Sequence, residues 1–343
     1  MKVLVVDDSA LVRLRVSEIL RGAGFEVFTA RDGEDAIEKV AKINPDVITL
    51  DVNMPKLDGL KFLEIIMKEK PRPVVMLSSL TYEGAKETIE ALRLGAVDFI
   101  AKPSGGIEEI AEEIVRKVKI ASNVNPSVIR LQNLRKIRGE IVRRNWNVKK
   151  ELCVLIGSST GGPSALEQVI PRLPSDFPAP VLVVQHMPPN FTKQLAERLN
   201  EISEIEVKEA EDNERISNGV AYIAPGGKHM KIRKALNVVR IKIFDGNPVN
   251  NVKPSVDVTA ESLAEVYGGN VVGVVLTGMG EDGARGMKRI HDLGGKVIAC
   301  SEDTCVVFGM PKAVIELGAV DSIKPIFEIA EEIANFVEVM GSE

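Results

Sequence analysis

The chain has 343 residues, 45% of them hydrophobic, a net charge of −5 and three cysteines. That length points to two domains with enough apolar residues for two cores. The charge argues against an overall electrostatic pull toward nucleic acid, and Cys153, Cys300 and Cys305 are too few and too scattered for a disulfide framework. A reduced cytoplasmic setting is therefore expected. The N-terminal run MKVLVVDDSA is too short and too acidic for a signal peptide, and no window reaches the ~20 apolar residues of a membrane span.

In chain order, short apolar runs at 2–6, 27–29, 46–50, 74–77 and 99–101 alternate with helical patterns. Those patterns start at Leu11 and recur at 34–41, 59–68, 83–94 and 108–120. Five strands alternating with five helices predict a flavodoxin-like parallel sheet covered on both faces, spanning 1–120. Residues 121–150 hold eight basic residues against one acid, Glu140, and read as a linker, helical around 129–141. A second α/β pattern fills 151–343, with apolar runs at 152–156, 181–184, 220–223, 271–276 and 296–300. Its helices are expected at 164–170, 191–199, 254–266 and 282–293, with 230–233 and 238–244 as a hairpin. The fold expected for this half is a doubly wound, mostly parallel α/β domain.

Ligands of open parallel sheets bind beyond the strands' carboxyl ends, where strand order reverses. Asp7 and Asp8 follow the first run and Asp51 follows the third; flavodoxin-like order makes those strands neighbours. Three converging carboxylates repel one another, and a hard divalent cation such as Mg²⁺ relieves the repulsion. Lys102 follows the fifth run and Ser78 ends the fourth, so both reach the same rim. Taken singly, each residue also fits a bland role as cap, loop acid or solvated charge.

The motifs VVDDS (5–9), LDVNMPKLDG (50–59), MLSS (76–79) and AKP (101–103) resemble the receiver domains of two-component response regulators. The resemblance implies that Asp51 accepts phosphate from a histidine kinase. It also implies that Asp7, Asp8, Asp51 and the Asn53 carbonyl hold Mg²⁺. Ser78, with Ser79 adjacent, Phe99 and Lys102 then sense the phosphoryl group.

In the second half, the run at 152–156 enters the turn Gly157-Ser158-Ser159-Thr160-Gly161-Gly162, and a helix starts near Pro163. The turn fits G-x-S-x-G, which can present a serine beside backbone N–H groups that hold an oxyanion. A phosphate cradle or a purely structural turn fits it equally. The P-loop reading lacks the Gly-Lys-Ser/Thr, and G-S-S-T-G-G is not the dinucleotide fingerprint. A nucleophilic serine needs a base, and the chain has only His186, His229 and His291. His186 follows the run at 181–184; His291 lies in a charged helical stretch, and His229 follows a Pro-Gly-Gly turn. Asp282, in TGMGEDG after the run at 271–276, is the best orienter of the imidazole, ahead of Asp257, Asp292 and Asp303. Ser159, His186 and Asp282 thus occupy three strand ends.

The segments GSSTGGP, QHMPPNFT, AYIAPGGKHM, KPSVD, LTGMGEDGARGM and CVVFGMP resemble the chemotaxis protein-glutamate methylesterases, the CheB family. With the receiver pattern, the resemblance covers nearly the whole chain. It implies hydrolysis of glutamate γ-methyl esters on methyl-accepting chemotaxis receptors, with methanol released, and deamidation of certain glutamines. No cofactor is implied for the ester chemistry. Ser159 is then the nucleophile, His186 the base and Asp282 its orienter, with Thr160 and Met279 at the oxyanion site. The receptors and a histidine kinase are the implied partners, membranes are met only through the receptors, and a monomer is expected. One departure stands out: Asn250-Asn251-Val252-Lys253 occupies the place where enterobacterial relatives carry Arg and His. Two other outputs compete with an esterase. A DNA-binding output lacks a helix-turn-helix pattern, and a nucleotide-binding module lacks a lysine or a ribose-binding acid.

Overall fold

A computed structural model describes residues 1–103, 105–129 and 140–342. The chain divides into two compact units, Met1–Arg135 and Lys136–Glu343.

The first unit holds β1 (Lys2–Val6), β2 (Glu26–Ala30), β3 (Val47–Asp51), β4 (Val74–Ser79) and β5 (Asp98–Lys102), in the order β2-β1-β3-β4-β5. Every pairing is parallel. Continuous apolar strands such as Val3–Val6 are wholly buried because helices cover both faces. The chain leaves β1 toward one edge and returns on the other side of it at β3. The switch point therefore lies between β1 and β3, with Asp7 and Asp51 at its mouth. Four of its helices start at side-chain caps: Ser9, Asp32, Asp58 and Thr81 each accept from a first-turn N–H.

The second unit carries a seven-stranded sheet in the order β14-β13-β12-β6-β7-β9-β8, again entirely parallel. Its members are β6 (Cys153–Ser158), β7 (Val181–Gln185), β8 (Glu206–Glu209), β9 (Val220–Ile223), β12 (Val271–Val275), β13 (Lys296–Cys300) and β14 (Ser322–Lys324). β10 (His229–Ala235) and β11 (Val238–Phe244) form the separate antiparallel hairpin expected from the sequence. Here the switch point lies between β6 and β12. Strands β8 and β14 and the helices Met310–Glu316 and Ile329–Ser342 were not expected. β8 and β14 are sheet edges whose alternation is half polar, so the sequence shows no apolar run there.

Most of the helix expected at 129–141 lies outside the described residues; residues 126–129 are helical. Residues 140–150 form no helix or strand, and Val142, Arg144, Trp146 and Val148 turn their side chains onto the rest of the second unit. Val142 N–H donates to Arg172 O at 2.8 Å, Trp146 packs edge-on to Phe177 at 5.6 Å, and Lys149 N–H donates to Gly341 O at 2.8 Å. Arg144 pairs with Glu331 and Glu338 on the last helix. The basic charge of this stretch is thus partly spent on acids of its own unit.

Candidate active site

Register brings the turn and the histidine together. Ser158 pairs with Gln185 across β6 and β7, so Ser159 and His186 are the next residues on neighbouring strands, about 5 Å apart in the sheet direction. His186 N–H donates to Ser158 O at 3.1 Å, and Gln185 Nε2 donates to Ser159 O at 2.9 Å. The two serines are distinguished by their surroundings. Ser158 is fully buried and its hydroxyl is held by Gln185 Oε1 at 2.6 Å, whereas Ser159 is half-buried at the rim. On the other side of β6, Ser159 N–H donates to Thr277 O at 2.8 Å. The strand therefore hands its serine to the mouth of the switch point. Gly278 must be glycine there, since a Cβ would stand 2.7 Å from Ser159 Cβ and 2.4 Å from Met310 Sδ. Gly161 turns the chain into the helix Gly162–Val169 with φ +77°, a conformation that costs a side chain energy, and its Cβ would meet Val306.

His186 Nε2 lies 2.8 Å from Asp282 Oδ2, while its Nδ1 has no partner among the described residues. The carboxylate of Asp282 is buried and surrounded by donors. Ser255 Oγ (2.7 Å) and Asn250 Nδ2 (2.8 Å) donate to Oδ1, and Val256 N–H (2.6 Å) donates to Oδ2. Val256 opens the helix Val256–Tyr267, so the positive end of its dipole faces the carboxylate. Burial pushes the Asp282 carboxyl up. The His186 hydrogen bond and charge, the Ser255 hydroxyl and the Val256 N–H outweigh it and hold the group below the usual carboxylate range.

The rivals go elsewhere. Asp257 accepts from Gly286 N–H at 2.8 Å and pairs with Arg285; Asp292 pairs with Lys288; Asp303 accepts from Ser301. His229 is buried with Nε2 2.9 Å from Asn247 O, and His291 sits on the helix Ala284–Asp292 within 3.9 Å of Asp292 and Asp321. Thr160 is buried, and its carbonyl accepts from Thr277 Oγ1 at 3.0 Å. Met279 is exposed in the loop that follows β12. Sequence reasoning missed Ser255, Asn250 and Gln185. Ser255 was legible as the N-cap in the segment KPSVD.

In the first unit, ligand oxygens of Asp7, Asp8 and Asp51 lie within 4.8 Å of one another. Lys102 Nζ bridges Asp7 Oδ2 and Asp51 Oδ2, each at 2.9 Å. Burial raises the Asp51 carboxyl despite Lys102, and Asp7 adds to the rise. Lys102 is raised as well, because its two carboxylates outweigh its own burial. Ser78 is buried with its hydroxyl turned to the helix Tyr82–Leu94, 3.0 Å from Gly84 O and 2.6 Å from Thr88 Oγ1. The neighbouring Ser79 hydroxyl meets Thr81 Oγ1 at 2.9 Å. The Phe99 ring is buried with Lys117 Nζ 5.1 Å from its centroid, and the Asn53 amide donates to Glu87 at 3.2 Å.

Both halves of the chain match known families. The family model for the CheB methylesterase matches residues 154–333, and that for the response regulator receiver domain matches residues 3–115. The chain belongs to the CheB methylesterase family. A protein-glutamate methylesterase/protein-glutamine glutaminase of Archaeoglobus fulgidus is 67% identical over 348 residues, covering 100% of both chains. The Thermotoga maritima protein of the same name is 46% identical over 98% of each chain. The crystal structure of the Thermotoga maritima CheB methylesterase catalytic domain matches 55% of this chain and 99% of its own, at 48% identity and a TM-score of 0.53. In this CheB-family chain the matched catalytic stretch contains Ser159, His186 and Asp282 together with Ser255 and Asn250. The receiver stretch contains the acid cluster and Lys102. Among the described residues no helix is long and apolar enough to cross a membrane.

Proposed function

We propose that this chain is a phosphorylation-activated serine esterase that hydrolyses glutamate γ-methyl esters, and deamidates glutamines, on chemotaxis receptors. The observation that carries the catalytic half is the His186–Asp282 hydrogen bond, set beside Ser159 with Asp282 saturated by donors. Asp282 fixes Nε2 as the protonated nitrogen, so Nδ1 is the basic one. Nδ1 accepts the Ser159 hydroxyl proton as Oγ attacks the ester carbonyl. The tetrahedral oxyanion is met at the Thr160 and Met279 positions. His186 then delivers its proton to the departing methoxide, and methanol leaves. Water repeats the sequence: it gives a proton to Nδ1, attacks the acyl-serine, and releases the glutamate carboxylate as Ser159 Oγ recovers its proton. For a glutamine the leaving group is ammonia.

The receiver half, about residues 1–120, joins the catalytic half, 151–343, through 121–150. Asp51 is the phosphate acceptor, with a histidine kinase as donor. The carboxylates of Asp7, Asp8 and Asp51, with the Asn53 carbonyl, would suit a hard divalent cation, which would offset both the burial that raises Asp51 and the smaller repulsion from Asp7. When bound, Mg²⁺ supplies charge neutralisation for the incoming phosphoryl group. Lys102 already touches Asp51 and is placed to hold a phosphoryl oxygen, while Ser78 and Phe99 are the candidates to register its arrival. The decisive test is methanol release from methyl-esterified receptor domains by the full chain. Release is expected from the native protein and not from a folded Ser159→Ala variant; equal release from both removes the proposal.

A further inference from the structure

The β10–β11 hairpin presents two unlike faces. Met230, Ile232, Val239 and Ile241 are buried on one. The register sets Lys231 opposite Lys242 and Arg233 opposite Arg240 on the other, and an isolated antiparallel bridge adds Arg215 beside Arg240. Like charges directly opposite one another are unfavourable in an antiparallel pair. Five cations therefore crowd one small surface of a chain whose net charge is −5. Among the described residues one carboxylate, Asp212, reaches this group, pairing with Lys242 at 3.0 Å. Arg233 and Arg240 spend their donors on the Asn213 side chain and carbonyl, and Lys231 lies over the Phe244 ring. The hairpin turn adds an apolar tip: Leu236 is 98% exposed and, like Asn237, sits at positive φ. A leucine held exposed in a left-handed turn is costly in isolation.

The hairpin is bolted to the catalytic machinery through its buried face. Met230 O accepts from Thr259 Oγ1 at 2.8 Å, and Ile232 N–H donates to Ser262 Oγ at 3.1 Å. Both partners lie on the helix whose first residues hold Asp282, so Thr259 is only about 5 Å along its axis from Val256. At the hairpin's root, Gly227 N–H donates to Lys253 O, and Gly226 packs against Pro188 just after His186.

We propose that this basic face, with Leu236 as an apolar anchor, docks the acidic, glutamate-bearing protein segment that carries the ester. The proposal rests on the esterase reading above and adds to it the surface that selects a protein substrate. Complementarity is the argument: each turnover converts a neutral ester into a carboxylate, so a segment with several modifiable glutamates is anionic and grows more so. Surface charges of this kind act mainly on encounter and affinity, with strong salt dependence.

The test compares the full chain with a variant carrying Lys231→Gln, Arg233→Gln, Arg240→Gln and Lys242→Gln, in the presence of Mg²⁺ and acetyl phosphate. With methyl-esterified receptor domain at low salt, KM should rise on the order of tenfold with kcat unchanged. Added salt should raise KM of the native protein toward the variant's value. Turnover of a small phenyl ester should be equal in the two, which also shows that the variant is folded. Poly-L-glutamate should inhibit the native protein's receptor reaction and not its small-ester reaction. An unchanged KM in a variant that turns over the small ester normally would overturn the docking surface. So would equal competition by duplex DNA at matched charge, which would make the face a nucleic-acid site. Ser159→Ala separates the two claims: if it still hydrolyses both esters the esterase reading fails, whereas the KM comparison judges the surface alone.

Discussion

Two carboxylate pockets sit at equivalent places, each at the switch point of a parallel sheet, and their chemistry is opposite. Asp282 accepts from a histidine, a serine, an asparagine and a helix N-terminus, and is held below the usual carboxylate range. Asp51 shares its pocket with Asp7 and Asp8, accepts from Val52 N–H and Lys102, and is pushed up by burial. A saturated carboxylate has nothing to gain from change, which suits a group that must orient an imidazole identically through every turnover. A carboxylate left short of favourable partners is relieved by a cation or a covalent group, which suits a switch.

The largest expected effect attacks the catalytic pocket. Ser159→Ala should lower kcat on the order of 10⁴–10⁶-fold with the melting temperature unchanged, and His186→Ala should match it, while His291→Ala should lose little. Asp282→Asn should cost about 10⁴-fold, since the amide no longer fixes the tautomer. Ser255→Ala and Asn250→Ala each remove one of its donors and should cost roughly 10–100-fold in kcat with little change in KM. Losses as small as those at exposed positions would mean that Asp282 needs no such support.

A pH titration contrasts the pockets by sign. Asp282 is depressed when folded, so its contribution to stability is present above the ordinary aspartate range and is lost as pH falls through its lower folded value. Asp51 is raised, so its ionised form costs stability above its folded value and the cost vanishes on acidification. Asp51→Asn should therefore raise the melting temperature of the receiver unit at neutral pH, and Mg²⁺ should stabilise the native protein and not the variant. Acetyl phosphate should add one phosphoryl mass to the native chain, with none in Asp51→Asn or after chelation. Scanning calorimetry and intact mass spectrometry read these outcomes; an Asp51→Asn receiver that melts lower would remove the contrast.

The smallest expected effect concerns 140–150. Trp146→Ala should destabilise the catalytic unit by about 2–3 kcal/mol, because a half-buried indole loses its packing on Phe177. A catalytic fragment starting at 140 should unfold at higher urea than one starting at 151, which lacks Val142, Arg144 and Trp146. Equal midpoints would make the stretch a bare connector.

Much of this was legible in the sequence because both sheets are parallel and buried on both faces. Each central strand is then a largely apolar run, and the residue at its end or just after it is a site candidate, as with Asp51 at the end of β3 and with Asp7, Ser159 and His186 just after β1, β6 and β7. What stayed hidden has physical reasons. Strands β8 and β14 are half-polar edges, and 140–150 looked like a tether because its alternate side chains are charged or mixed. Asn250 and Ser255 reach Asp282 from 32 and 27 residues away, a contact that only the fold creates. The paired cations of the hairpin are likewise a matter of register, invisible until Lys231 faces Lys242.

Regulation through Asp51 requires an under-satisfied carboxylate in one unit to control a pre-organised serine site in the other. The most direct test is methanol release from methyl-esterified receptor domains by the full chain, with and without acetyl phosphate and Mg²⁺, in the native protein, Asp51→Asn and Ser159→Ala. Release should rise with the phosphodonor in the native protein, be insensitive to the donor in Asp51→Asn, and be absent in Ser159→Ala. Equal stimulation of Asp51→Asn, or release by a folded Ser159→Ala, would exclude control of Ser159 through Asp51.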